Sequence, residues 1–329
     1  MSAHTISIVI PVYQGESSLA PLLGEIEPLT HNQRTPGGHA FRVTEVVLVH
    51  DCGPDRSDDV MRSLVEKHPF VSLVWLSRNF GQHAATLAGM AATSGDWVAT
   101  LDEDGQQDPA DVAKLLDAGL ANRAQVVYGA PDAQAPHSWW RNATSQAAKW
   151  VARKLLGRQR LGSFYSFRLI QGEIARGLAA YCGESVYLDV ALSWVAGRIT
   201  ESQVTLRPEH GRRSGYTVGR LVMHFWRLLI TSGVAPLRLI AALGGTVAVL
   251  ALLLGIYVVW ESITGNVPVQ GWSSLILTVA AFGGLILLTL GIIAEYVGIT
   301  VSSAMGRPLY MTVSDPERPF RKGEERGSP

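Results

Sequence analysis

Two aspartates, Asp102 and Asp104, stand one residue apart in DWVATLDEDGQQDP (Asp96–Pro109), after an apolar run containing Val, Thr and Trp. In an extended or tightly turned segment, side chains at i and i+2 point the same way. The two carboxylates then repel one another unless a cation lies between them. Mg²⁺ and Mn²⁺ suit such a place, because they take few carboxylates together with phosphate oxygens. The pair therefore suggests a metal–diphosphate site, with Glu103 turned away and outside the ligand set. Asp-x-Asp also occurs in ordinary surface turns, so the spacing alone leaves a plain acidic loop open. A third acid, Asp51, closes the run EVVLVH in the same way. No Gly-x-Gly-x-x-Gly or P-loop sequence follows the first strand-like run, which speaks against dehydrogenase and P-loop chemistry.

These acids need a frame, and residues 1 to about 130 supply one. ISIVIPVY, TEVVLVHD, VSLVWLS, DWVATLD and AQVVYGA are short β-rich apolar runs. Helical stretches such as DRSDDVMRSLVEKH and GQHAATLAGMAATSG lie between them. Alternation of this kind predicts an α/β fold with a parallel, doubly wound, Rossmann-like sheet. Such sheets bind ligands beyond the carboxyl ends of their strands, where Asp51 and Asp102 fall.

The C-terminal third reads as a chain in a different solvent. Charged residues are 17% of the chain and hydrophobic ones 47%, against roughly 25% charged in a soluble domain. Leu239–Trp260 and Ser273–Ala294 each run 22 residues without a charge, and about 20 suffice to cross the hydrocarbon core. Buried core helices are the alternative, though they seldom stay uncharged for so long. Arg220, Arg227 and Arg238 precede the first run, and Arg307, Arg318, Arg321 and Lys322 follow the second. The link ESITGNVPVQG has no Lys or Arg, which puts both ends of the hairpin in the cytoplasm. Trp260 and Trp272 sit where interfacial aromatics belong.

Before the hairpin, TVGRLVMHFWRLLITSGVAPLR carries Arg220, His224 and Arg227 on one helical face. That suits a helix lying in the membrane surface; an amphipathic helix packed on the domain is the alternative. The organisation expected is residues 1–215 as the catalytic domain, 216–236 as juxtamembrane helix, 237–298 as two membrane helices (239–260 and 273–294) and 299–329 as tail. From Ser314 onward the tail reads as disordered. Basic and acidic residues balance at 28 each, so net charge gives no case for nucleic acid. The two cysteines, Cys52 and Cys182, fit a reducing compartment. The N-terminus reads as a first strand and not as a signal peptide.

SIVIPVYQGESSLAPLL, EVVLVHDCGPDRSDDV, LSRNFGQHAATLAGMAATSGDWVATLDEDGQQDP and GRRSGYT occur in that order. In this the chain resembles the family 2 glycosyltransferases, and among them the polyprenyl-phosphate glycosyltransferases, relatives of dolichol-phosphate mannose synthase and the bacterial GtrB-type enzymes. The ending LGIIAEYVGITVSSAMGRPLYMT resembles the GtrB-type exit from the membrane, so the likeness runs from Ile6 to about Thr312.

The resemblance implies a GT-A domain and inverting transfer of a sugar from a nucleotide-diphosphate donor to a lipid phosphate. Pro11, Val12 and Tyr13 would line the nucleotide pocket and Asp51 would approach the base or ribose. Asp102 and Asp104 would hold Mg²⁺ or Mn²⁺, with Gln106 near the donor phosphates or sugar. Arg141 and Ser145, four apart on one helical face, match positions that hold the acceptor phosphate; an ordinary solvated face is the alternative. Arg212, Arg213 and Ser214 would form a loop closing over the donor diphosphate, or a basic membrane contact. Asp189 would face the acceptor as a base or positioning group, or be an ordinary acid at a helix start.

Two departures stand out. His50 replaces the first acid of a usual Asp-Asp pair, which predicts a changed donor preference. Gly105 replaces a usual apolar residue, which predicts a looser turn. The bacterial character of the hairpin favours a UDP-sugar over GDP-mannose, and the resemblance implies a homo-oligomer such as a tetramer in the cytoplasmic membrane. A processive polysaccharide synthase would need more spans and a Gln-x-x-Arg-Trp motif. A catalytically inactive membrane scaffold would sit oddly with both aspartates retained.

Overall fold

The structure, a computed structural model, describes residues 3–131, 165–182, 187–207, 272–305 and 308–317, with isolated positions between 244 and 264. The strands are β1 (His4–Val12), β2 (Gln33–Arg34), β3 (Ala40–His50), β4 (Val71–Leu76), β5 (Trp97–Thr100), β6 (Val126–Pro131), β7 (Arg168–Gln171), β8 (Ile199–Val204) and β9 (Thr312–Val313). The helices are α1 (Leu19–Ile26), α2 (Ser57–Lys67), α3 (Gln82–Ala91), α4 (Val112–Asn122), α5 (Gly172–Tyr181), α6 (Leu188–Val195) and α7 (Trp272–Ala304). All five strand-like runs of the sequence appear, as β1, β3, β4, β5 and β6.

The strands form one sheet in the order β8-β6-β7-β5-β1-β3-β4-β9, with β2 added to β3. Pairings β5-β1, β1-β3, β3-β4 and β6-β8 are parallel. Here the expectation of a parallel sheet is corrected: β7 runs against both β5 and β6, and β9 against β4. β7 is only four residues, RLIQ, with an arginine first, so it carries no apolar run that marks it as a central strand.

The helices divide between the two faces of the sheet. Ile6, Ile8, Ile10, Val46 and Leu48 share a core with α1, α2 and α4. Val9, Val47, Val49 and Val98 share another with α3, α5 and α6. Adjacent strand residues thus point into different cores, which is why these strands read as continuous apolar runs instead of alternating ones. α1 presents Leu19, Leu22, Leu23 and Ile26 at helical spacing. α2 begins with Asp58 and Asp59 and ends with Lys67, charges that suit the two ends of its dipole.

β1 lies between β3 and β5; the chain leaving β1 runs to the β3 side, and the chain leaving β5 runs to β6 on the opposite side. A crevice opens at such a switch point, and Tyr13, Asp51 and Asp102 follow the strands that frame it.

The chain divides into two compact units, one of residues 1–153, 157–216 and 308–329, the other of 154–156 and 217–307. In the first, β9 pairs with the β4 edge, Ser77 donates its N–H to the Met311 carbonyl at 2.9 Å, and Arg62 on α2 binds Asp315. The tail is therefore structured through Glu317, against the expectation of disorder from Ser314. In the second, α7 covers the run 273–294 and continues to Ala304. Counted over the described residues alone, no helix is long and apolar enough to cross a membrane. The two-span hairpin is thus not shown, since most of 239–260 and several α7 side chains lie outside the described residues.

Candidate active site at the carboxyl ends of the strands

The acid loop after β5 is closed by an amide. Gln107, 5% exposed, accepts the Asp102 N–H on Oε1 at 2.9 Å and donates from Nε2 to Asp102 Oδ2 at 2.9 Å. The same Nε2 reaches Ser166 Oγ at 2.8 Å, and Ser166 Oγ donates a short hydrogen bond to Asp102 Oδ2. Asp102 Oδ1 accepts from Gln82 Nε2 at 2.6 Å. Asp102 is thus fixed by three side chains from α3, the loop itself and the approach to β7. Burial raises its pKa and neighbouring Asp104 adds to the rise, while Ser166, Arg168 and Gln107 oppose it.

Asp104 is exposed, and its Oδ1 accepts the Gln106 N–H at 3.1 Å. Gly105 sits between Asp104 and Gln106 at φ +70°. This corrects the expected loosening: the turn is left-handed, a conformation that strains L side chains. Gln106 is half-buried, and its carbonyl accepts the Arg207 N–H at 2.8 Å.

Glu103 points elsewhere. Its carboxylate accepts the N–H groups of Tyr13 and Gln14, each at 2.9 Å, and so ties the acid loop to the loop after β1. Tyr13 is 43% exposed, Pro11 is partly buried and Val12 is fully buried. The Val12 side chain belongs to the core, while its carbonyl accepts the Asp51 N–H at 2.8 Å. Gly53 makes this junction possible, because a Cβ there would fall 1.5 Å from the Tyr13 carbonyl oxygen.

Asp51 is buried, and its two oxygens accept the N–H groups of Phe80 at 2.7 Å and Gly81 at 2.9 Å. Burial raises its pKa, against those two N–H groups and the nearby Arg78. His50, one residue earlier, is buried against Trp75 with ring centroids 5.1 Å apart.

Asp189, on the first turn of α6, is buried and paired with Arg168 on β7. Tyr128 Oη donates to the same Asp189 oxygen at 3.0 Å. The alternative of an ordinary surface acid therefore does not hold. Arg141, Ser145, Arg212, Arg213 and Ser214 lie outside the described residues.

Among the described residues no group of three His, Cys, Asp or Glu side chains gathers for a metal ion. Two carboxylates in mutual repulsion remain, Asp102 and Asp104. They fit an ion that takes few protein ligands and fills its shell from phosphate. Gln82, Gln107 and Ser166 were not found from sequence. Gln107 was legible as a second amide beside Gln106, but Ser166 depends on the unforeseen placement of β7.

The family model described as Glycosyl transferase family 2 matches residues 7–181. Undecaprenyl-phosphate 4-deoxy-4-formamido-L-arabinose transferase of Pseudomonas aeruginosa is 29% identical over 308 residues, covering 93% of this chain and 88% of that enzyme. The enzyme of the same name from Pseudomonas syringae pv. syringae is 30% identical over 310 residues, covering 93% and 89%. Among solved structures, glucosyl-3-phosphoglycerate synthase from Mycobacterium tuberculosis, in complex with Mn²⁺, UDP and phosphoglyceric acid, aligns at TM-score 0.48 and 19% identity. That alignment covers 69% of this chain and 77% of that one.

Proposed function

We propose a function from one premise: the chain belongs to glycosyl transferase family 2, and its α/β sheet is the GT-A-like fold of that family. The protein moves a sugar from a nucleotide-diphosphate donor, a UDP-sugar in preference to GDP-mannose, onto polyprenyl phosphate with inversion. One observation carries this reading. Asp102 and Asp104 follow β5 beside the switch point, with Asp102 fixed by Ser166 and Gln107. The names of the curated relatives, transferases acting on undecaprenyl phosphate, support the acceptor.

Asp102 and Asp104 would hold Mg²⁺ or Mn²⁺, which when bound would supply positive charge toward the donor diphosphate. The chain's own residues do the rest. Glu103 holds the Tyr13 loop and buried Asp51 holds Phe80 and Gly81, so the nucleoside end is built from backbone fixed by carboxylates. The acceptor phosphate, with a second pKa near 6, is largely charged at neutral pH and attacks without a strong base. Orientation then lowers the barrier. Arg141 and Ser145 hold that phosphate, and Arg212, Arg213 and Ser214 close over the donor.

The anchor is a hairpin of residues 239–260 and 273–294 in the cytoplasmic membrane, with the catalytic domain and both termini in the cytoplasm. Its support is the two uncharged 22-residue runs and the basic residues outside them. The protein works as a homo-oligomer.

The test is incubation of membranes holding the protein with labelled nucleotide sugars, polyprenyl phosphate and Mn²⁺ or Mg²⁺. Label is expected in the lipid phase and dependent on the ion. Long polymer would instead identify a processive synthase, and no turnover with any sugar a scaffold.

A further inference from the structure

The two oxygens of Asp102 are not equivalent. Oδ2 accepts from both Ser166 and Gln107, which uses its two lone pairs. Among the described residues, Oδ1 accepts from Gln82 alone, at 2.6 Å. Gln82 is exposed and begins α3, and the two residues before it, Phe80 and Gly81, are those whose N–H groups hold Asp51. Three consecutive residues therefore touch both acids of the crevice.

We propose that Gln82 is a positioning residue that occupies the open oxygen of Asp102 until a divalent ion displaces it, and that this displacement couples ion loading to the nucleoside end of the site. The inference rests on the metal reading above. The chemistry of the amide suits the task. A neutral donor stabilises Asp102 beside Asp104 without adding a charge, whereas Lys or Arg at this place would make an ion pair costly to break. A divalent ion brings far more positive charge than one N–H, and the displaced, exposed amide regains hydrogen bonds to water. Ser166 and Gln107 keep the Asp102 side chain in place during the exchange. Gln82 is joined directly to Gly81 and Phe80, so a backbone shift accompanying the displacement would reach the two N–H groups that hold Asp51.

Mn²⁺ binding to the full-length protein in detergent, read by electron paramagnetic resonance, tests the exchange. Gln82→Leu removes the competing donor while Ser166 and Gln107 stay, so Mn²⁺ should bind about ten- to hundredfold tighter, as expected for one hydrogen bond to a charged group. Gln82→Glu, which also suits a helix N-terminus, should tighten it further by adding a carboxylate. Uridine and guanosine, which carry no phosphate to touch the ion, report the coupling. Mn²⁺ should change the affinity of the preferred nucleoside in the wild type and leave it unchanged in Gln82→Leu. If the wild type binds Mn²⁺ and Gln82→Leu binds it equally or more weakly, the displacement is wrong while the metal reading stands. If Mn²⁺ leaves nucleoside affinity unchanged in the wild type, the coupling is wrong. If the wild type binds no Mn²⁺, the metal reading falls and this inference with it.

Discussion

Arg168 and Asp189 form a buried ion pair across β7 and α6, and Tyr128 donates to the same carboxylate oxygen. Arg168 is 4% exposed and Asp189 8%. This carboxylate keeps the Arg168 cation oriented near Asp102, whose pKa Arg168 opposes raising. Asp189→Ala leaves the guanidinium buried without its carboxylate partner and should destabilise the fold by roughly 3–5 kcal/mol. The double replacement Arg168→Met with Asp189→Leu should recover most of that loss. Thermal and denaturant unfolding of the three proteins checks it. A double variant no more stable than Asp189→Ala would show that the pair is not the source of the effect.

Asp104 is exposed and, among the described residues, makes one hydrogen bond, to the Gln106 N–H, so its removal disturbs little of the fold. Asp104→Ala should keep the unfolding free energy within about 0.5 kcal/mol of the wild type, as surface changes do. Turnover should fall by at least about a hundredfold, the scale of losing one group that stabilises transition-state charge. Near-normal turnover at saturating Mn²⁺ would remove Asp104 from the ion's ligands.

His50 gives a pH dependence of known sign. Burial holds its pKa below the ordinary 6.5; Asp58, Asp55 and Asp315 oppose the shift and Arg62 adds to it. Its Nε2 is buried and has no hydrogen-bond partner among the described residues. The unfolded chain takes up this proton at a higher pH than the folded one does. The folded state therefore keeps its full stability from this group above about pH 6.5 and loses it as pH falls from there toward the lowered value. In thermal unfolding between pH 7.5 and 5, the wild type should lose more stability than His50→Phe, which keeps a ring against Trp75. Equal pH slopes would show that His50 does not titrate in this range.

Much of this was legible in the sequence where backbone geometry follows from local pattern. The five β-rich runs fixed which strands end in Tyr13, Asp51 and Asp102, and Glu103 was expected to face away from its two neighbours. What was not legible came from contacts between distant segments. Ser166 reaches Asp102 only because β7 runs backwards between β5 and β6, and no local signal in RLIQ specifies that. Gly105 reads as a looser turn, yet its φ of +70° shows a left-handed conformation that favours glycine. The tail composition reads as solvated, but Asp315 and Glu317 have a cation waiting for them on α2.

That cation, Arg62, yields the last prediction. It is 11% exposed, lies 4.9 Å from the Trp75 ring centroid and meets Asp315 through two parallel hydrogen bonds of 3.0 Å. Asp58 at 2.9 Å, Asp59 at 3.2 Å and Glu317 at 3.3 Å complete its surroundings. Four carboxylates around one guanidinium leave an excess of negative charge, so removal of Arg62 turns attraction into repulsion. β9, only two residues long, cannot hold the β4 edge by its ladder alone. Arg62→Met should therefore release the segment around Thr312–Val313 and cost roughly 2–3 kcal/mol, less than a fully buried pair because the carboxylates are partly solvated. Arg62→Lys should rescue little, since an ammonium cannot make the forked contact to Asp315. Asp315→Asn should reproduce most of the loss, and Glu317→Gln little of it. Hydrogen exchange at the Ser77 and Val313 amides reads the release directly. Unchanged protection there in Arg62→Met would mean that backbone pairing, and not this ion cluster, fastens the tail to the sheet.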